Sequence, residues 1–438
     1  MRKIVQIKMH LTEGIIMQKK KRKIRYDRIG LFIIVPIIAI VAVASCGTSK
    51  LKETNVKNKT AETKAEETET VTETVPQDKT VSVVAMGDNL VQTKVYEAAE
   101  AHAENGEKYN FGYTYDAVKD LITSGDLNII NQETPICNDE YDITGSNFDF
   151  NSPTELGQQL IDMGVNTFSV NNNHVLDKGT DGLRAQLDYW EKEVSQNPGT
   201  IVYGTYRNQS DMDNIRVKEV NGAKVAFLAY TEHTNGYSLE QGSELCIPYL
   251  DEKDMIKQQI EKANQIADIV IVSAHWGDED TFTVREGVKE EAKEIIEWGA
   301  DVIIGTHSHT GQTMEYVTRT DGTQGFVFYS LGNFVSAQTD NFNLVGEVAK
   351  FDLTVSAADS GVKVENIKVV PVITQYDDSS LSNIRVYPYY SYTEDLASSH
   401  GVPYTTSGTS REWSMDVING FINDNVPEEF QCLTNPLA

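Results

Sequence analysis

The sequence predicts an α/β fold, and three observations carry that prediction. Short runs of β-branched and apolar residues alternate with helix-length amphipathic segments along most of the chain. Those runs end repeatedly in Asp, Glu, Asn or His, and α/β proteins build their sites at the carboxyl ends of strands. The third observation is the stretch 268–312. There Ile269 to Val272 runs on to His275, Val288, Ala292, Ile295 and Ile296 recur at helical spacing, and Val302 to Ile304 leads to His307-Ser-His309. Three of the chain's eight histidines sit at those two strand ends, and imidazole is the commonest metal ligand near neutral pH.

The first 46 residues read as a targeting segment. Lys19 to Arg28 is basic, Leu31 to Val43 is apolar, and Val43-Ala-Ser-Cys46 followed by Gly47 resembles a lipobox, which implies lipidation at Cys46. An uncleaved membrane helix is the alternative, since the apolar run approaches the length of a span. Either reading puts the body on the extracytoplasmic face of the bacterial cell membrane, lipid- or helix-anchored, with the basic flank inside. Residues 47–80 are a Lys/Glu/Thr tract with hardly any core formers and read as a disordered tether.

From residue 81 the elements follow in order. Val81 to Met86 reads as a strand ending in Gly87-Asp88, and a helical pattern runs through Tyr115, Val118, Leu121 and Ile122. Leu127 to Ile130 is a strand that ends in Asn131-Gln-Glu133, and Pro153 to Met163 is a helix with proline near its start. Val165 to Val170 is a strand ending in Asn171-Asn-Asn-His174, and Thr180 to Val194 is an amphipathic helix. Lys224 to Tyr230 reads as a strand, Asp251 to Ala267 as a helix, and Phe326 to Leu331 as a strand ending in Gly332-Asn333. Then the alternation stops: Glu347 to Val355 and Val362 to Ile373 read as paired strands able to complete a second sheet. Residues 376–438 are aromatic and polar, a cover for the domain or a partner surface.

Five of these strands thus end in a carboxylate, carboxamide or imidazole, and their ends are expected to share one sheet edge. Asp88, Glu133, Asn173, His275, His307 and His309 are a donor set suited to Mn, Fe or Zn. Two such metals share a carboxylate bridge and activate water.

In the order Gly87-Asp88, Asn131-x-Glu133, Asn172-Asn-His174-x-x-Asp177-x-Gly179, His275-Trp-Gly277, Gly305-x-His307-x-His309-x-x-Gln312 and Tyr329-Ser-Leu-Gly-Asn-Phe334, the sequence resembles the CapA family of poly-γ-glutamate capsule biosynthesis. That family is related to the calcineurin-like metallophosphoesterases. The resemblance spans residues 81–375 and implies a four-layer αββα sandwich. It implies Asp88 and His309 on a first metal, Glu133 bridging, and Asn173, His275 and His307 on a second. It implies a catalytic role for His174 facing the substrate. Asp177, a loop-orienting residue or a helix cap, joins Glu279, Gln312 and Asn333 as candidates to support the ligands from behind. Leu90 stands where the phosphoesterases carry a histidine, and N-x-E replaces GD-x-x-D. One or two divalent ions per chain are expected.

Charge narrows the functions. The chain carries −27, and the first 45 residues hold ten Lys or Arg against two acids, so the remainder carries −35. Such a body offers no footprint for nucleic acid. The expected role is in synthesis or export of an anionic capsular polymer, with membrane proteins of a synthase or export complex as partners. A secreted metal-dependent hydrolase of the phosphoesterase type and a non-catalytic, metal-stabilised scaffold are the alternatives. Cys137, Cys246 and Cys432 match no zinc spacing and allow at most one disulfide.

Overall fold

The computed structural model describes residues 77–138, 140–146 and 148–438. The targeting segment with Cys46 and nearly all of the tether lie outside them. Among the described residues no helix is long and apolar enough to cross a membrane.

Among the described residues, sixteen strands form two large sheets and a small hairpin. In chain order they are β1 (Lys79–Asn89), β2 (Leu127–Asn131), β3 (Thr144–Ser146), β4 (Asp149–Asn151), β5 (Thr167–Ser169), β6 (Ile201–Tyr203), β7 (Arg216–Val220) and β8 (Ala223–Thr231). There follow β9 (Ile269–His275), β10 (Val302–Thr306), β11 (Met314–Thr318), β12 (Gln324–Phe328), β13 (Asn333–Val335), β14 (Val345–Val355), β15 (Val362–Gln375) and β16 (Arg385–Pro388). The first sheet has the order β16-β15-β14-β1-β2-β5-β6, with β13 beside the end of β1. The second has the order β11-β12-β10-β9-β8-β7, and β3 pairs with β4 alone.

The two sheets lie face to face because their central strands are apolar on both sides. Along β1, Val81, Val83 and Ala85 enter a core shared with Phe227, Ile271 and Ile304 of the second sheet, whereas Val84 and Met86 face outward. Outside the first sheet lie the helices Thr93–Ala101, Thr154–Met163 and Gly179–Gln196, which bring Val95, Leu160 and Trp190 to that outer core. Outside the second lie Lys253–Ile266 and Glu286–Glu297, whose Ile256, Ile260, Val288 and Ile295 pack on Val270 and Val272 of β9. Helix, sheet, sheet, helix is the four-layer αββα sandwich implied by the resemblance.

Three expectations need correction. The strands β14 and β15 do not complete a second sheet. They form an antiparallel extension of the first, because the flank of β1 opposite β2 is free to pair with β14 over Lys79 to Met86. The polar strand ends do not share one sheet edge: β1, β2 and β5 belong to one sheet, β9 and β10 to the other. Period-2 alternation tells which residues share a face of a strand but not which strands share a sheet. The helix expected through Tyr115 and Ile122 is broken into Gly112–Tyr115, a 3₁₀ turn at Asp116–Val118, and Lys119–Ile122.

The C-terminal segment packs on the same body. β16 extends the first sheet beside β15, and the helix Met415–Asn425 lays Ile418 and Ile422 against Ile373. Beyond it, Phe430 enters the inter-sheet core with its ring 5.3 Å from that of Phe326. Cys137, Cys246 and Cys432 are free thiols.

Candidate metal centre

The carboxyl ends of the two sheets converge on Glu133. This residue follows β2 and is fully buried, and its Oε1 lies 3.9 Å from the Nε2 atoms of His174, His275 and His309 alike. Neither carboxylate oxygen of Glu133 has a hydrogen-bond partner, and neither does the buried Nδ1 of His307. A buried carboxylate without partners costs several kcal/mol unless a cation or proton compensates it, on the order of 3–5 kcal/mol where one partner is missing from a pair. Asp88, Glu133 and His309 offer ligand atoms that all lie within 4.8 Å of one another. These donors fit a divalent cation.

Each side chain is aimed by backbone and neighbours. Asp88 sits where β1 shifts register after Gly87, and Gly87 lies so close to the carbonyl of Gly332 that no side chain fits. The Oδ1 of Asp88 accepts from Asn131 Nδ2 at 2.7 Å, and its Oδ2 accepts the backbone N–H of His307 at 3.1 Å across the two sheets. His307 and His309 have φ of 101° and 58°. Such left-handed non-glycine residues are strained and concentrate at functional sites. That loop conformation, rather than strand alternation, lets two histidines two residues apart serve one centre. His275 ends β9, with Nδ1 2.9 Å from Thr306 Oγ1 and Nε2 3.0 Å from Asn173 Oδ1. Asn333 holds His309 through Oδ1 at 3.0 Å from Nδ1, as outer hydrogen bonds hold metal ligands generally.

Charge in the pocket is out of balance. Burial, and then the Asp88 carboxylate, push Glu133 well above the carboxylate range. Burial pulls His309 down, but Glu133 and Asp88 outweigh it and push its imidazole up to about 10. Burial and the neighbouring imidazoles hold His275 and His307 well below the usual histidine range, as neutral rings with one bare nitrogen each. The raised Glu133 and His309 together mark a pocket short of positive charge, a need that a divalent ion meets.

His174 stands at the edge of this group. Its Nδ1 is 2.9 Å from Asp177 Oδ2, which also accepts the backbone N–H of Phe150 at 2.9 Å. Asp177 therefore orients His174. The helix Gly179–Gln196 that follows begins without a side-chain cap. Gln312 lies further back, donating to the carbonyl of Thr281 at 2.8 Å and so tying the His309 loop to the loop after β9. Glu279 is exposed on that second loop and acts on Glu133 and His309 through its charge alone. Leu90 is buried and donates its N–H to Val335 at 3.1 Å.

Four partners were not anticipated. Asn131 joins Asp88 to His275, with Nδ2 3.4 Å from the latter's Nδ1. Thr306 bonds His275. Asn235 bridges Asn173 at 3.3 Å and His174 at 3.4 Å, and His233 sets its ring 5.2 Å from that of His307. The last two follow β8, whose end Thr231-Glu-His-Thr-Asn235 obeys the strand-end rule used for the other five strands.

Comparisons with known proteins give the family. Residues 82–338 match the family described as bacterial capsule synthesis protein PGA_cap. The capsule biosynthesis protein CapA of Bacillus anthracis is 27% identical over 335 residues, covering 74% of this chain and 71% of that one. The PGA biosynthesis protein CapA of Bacillus subtilis (strain 168) is 25% identical over 323 residues, 73% of this chain and 75% of that one. A solved phosphatase from Mycoplasma pneumoniae aligns at a TM-score of 0.39 and 13% identity, over 68% of this chain and 95% of its own. With a family match across more than half of its length, the chain belongs to the bacterial capsule synthesis protein family.

Proposed function

We propose that this protein acts in the synthesis or export of an anionic capsular polymer such as poly-γ-glutamate, through a divalent metal held at Glu133. The observation that carries the reading is the Glu133 carboxylate, buried, unpartnered and 3.9 Å from three imidazoles. Asp88, Glu133 and His309 would hold one ion, and Asn173, His275 and His307 would hold a second. A divalent ion there supplies Lewis acidity toward a carboxyl or phosphoryl oxygen. His275 and His307 stay unprotonated through burial and so present donor nitrogens at neutral pH. Asp177 accepts from Nδ1–H of His174, which leaves Nε2 to take up or return a proton at the reacting group. The body lies outside the cytoplasmic membrane, held by a lipid on Cys46 or by the apolar segment, beside membrane proteins of a polymer-assembly complex.

The oriented His174–Asp177 pair favours a second reading, a metal-dependent hydrolase of the phosphoesterase type. Elemental analysis of the full-length protein after dialysis tests the centre. Metal should be retained by the wild type and by His174→Ala, and lost from His307→Ala. A folded wild-type protein that takes up no Mn, Fe or Zn would sink both readings. In a strain lacking the chain, His307→Ala should fail to restore surface polymer. If the wild type hydrolyses phosphoesters and both His174→Ala, which keeps the metal, and His307→Ala, which loses it, fall to the background rate, the hydrolase reading gains.

A further inference from the structure

His233 is an exposed imidazole at the open side of the centre. Its loop is wound by Asn235 and Gly236, with φ of 51° and 78°, into a tight turn closed by the Tyr237 N–H donating to the Thr234 carbonyl at 2.8 Å. Two successive left-handed residues are what an Asn-Gly turn of this type requires. The turn points the backbone N–H of Asn235 back at His233, whose Nδ1 accepts it at 3.3 Å. With Nδ1 acting as acceptor, the ring proton of the neutral imidazole sits on Nε2.

The loop is fastened to the ligand-bearing strands. Glu232 takes the carbonyl of His275 through its N–H at 2.9 Å and accepts the Gly277 N–H at 3.0 Å through Oε2. Its Oε1 pairs with Arg285 at 2.7 Å, which keeps a cation near the same mouth. The Thr231 hydroxyl donates to the His233 carbonyl at 3.0 Å. Asn235 then accepts from Asn173 Nδ2 at 3.3 Å, and its amide nitrogen lies 3.4 Å from His174 Nδ1. A side chain held this firmly, exposed, and stacked edge-on to His307 is built to meet something arriving from solvent.

We propose that His233 is a ligand-binding residue of this centre, donating its Nε2–H to an anionic oxygen of the molecule held at the metal. The inference rests on the metal reading above. The class of ligand is an oxyanion, a phosphate or a carboxylate.

The test is calorimetric titration of the metal-loaded full-length protein with inorganic phosphate and, separately, with glutarate. Whichever anion the wild type binds should bind His233→Ala about tenfold more weakly, the worth of one hydrogen bond to a charged group. His233→Gln, which keeps a donor at similar reach, should recover most of that loss, and both variants should keep full metal content. Unchanged affinity in His233→Ala overturns the proposal. So does loss of metal from that variant, which would make His233 a metal ligand. A wild type that holds metal but binds neither anion overturns the donor role and leaves the metal centre standing. A wild type that holds no metal overturns the centre first and this role with it.

Discussion

Glu133 and Glu347 are both buried with unpartnered carboxylate oxygens, both oxygens in Glu133 and Oε2 in Glu347, and the two differ in surroundings. Glu133 faces imidazoles and Asp88, whereas Glu347 faces Phe282, Val345, Pro371, Phe421 and Ile422 around a cavity of about 10 Å³. The cavity is just large enough for one water. Burial alone pushes Glu347 well above the carboxylate range. The native state then binds one more proton than the unfolded chain in the window that opens near 4.5 and closes at the raised native value. Stability therefore falls as pH rises through that window, by up to about 1.4 kcal/mol per unit. Replacing Glu347 by Gln removes this loss. Urea unfolding of the two proteins should coincide near about pH 4 and diverge in favour of Glu347→Gln by about pH 8. A constant difference across that range would refute the assignment.

Close backbone approaches carry the centre at the level of elements. β10 runs beside β12, and at Gly305 the chain lies against the carbonyls of Phe328 and Tyr329, where a Cβ has no room. Leu331 donates its N–H to the Gly305 carbonyl at 3.1 Å, so the same spot sets the start of the His307 loop. Gly305→Ala should cost about 1–3 kcal/mol through overpacking. Because the backbone itself must shift, metal content should fall with it. Elemental analysis beside chemical denaturation checks this, and a stable variant with full metal would show that the loop tolerates the displacement.

At the scale of the molecule, a late segment of the chain reaches the core between the two sheets. Phe430 is 8% exposed and packs edge-on to Phe326, while Val369 exchanges backbone bonds of 2.7 and 2.8 Å with Phe430 and Cys432. Phe430 is thus part of the inter-sheet core. Phe430→Ala should lower stability by about 3 kcal/mol, the low end for a Phe-to-Ala change because the site reaches the surface. The metal centre lies at strand ends that Phe430 does not touch, so metal content should hold while the unfolding midpoint drops. A midpoint within error of wild type would place the tail outside the core.

What could be read from the sequence was whatever lies in local pattern. Strand runs such as Ile269 to His275, amphipathic spacing such as Val288 to Ile296, and polar residues after strands are period and composition, and they survive folding unchanged. So the α/β class was legible in the sequence, as were the polar strand-end residues from which the ligands are proposed. The sheet to which each strand belongs was not, because pairing depends on which edge is free: β14 joined β1 across the 276 positions of chain that separate Lys79 from Val355, and there Val81 meets Leu353. Nor were Asn131, Asn235 and His233 singled out, since an asparagine or histidine after a strand looks the same whether it faces solvent or a carboxylate. The sequence by itself determined the elements and the donors, through local periodicity. Only the tertiary structure decided that ends from two different sheets meet around one unpartnered carboxylate, because that meeting is set by how two apolar sheet faces pack.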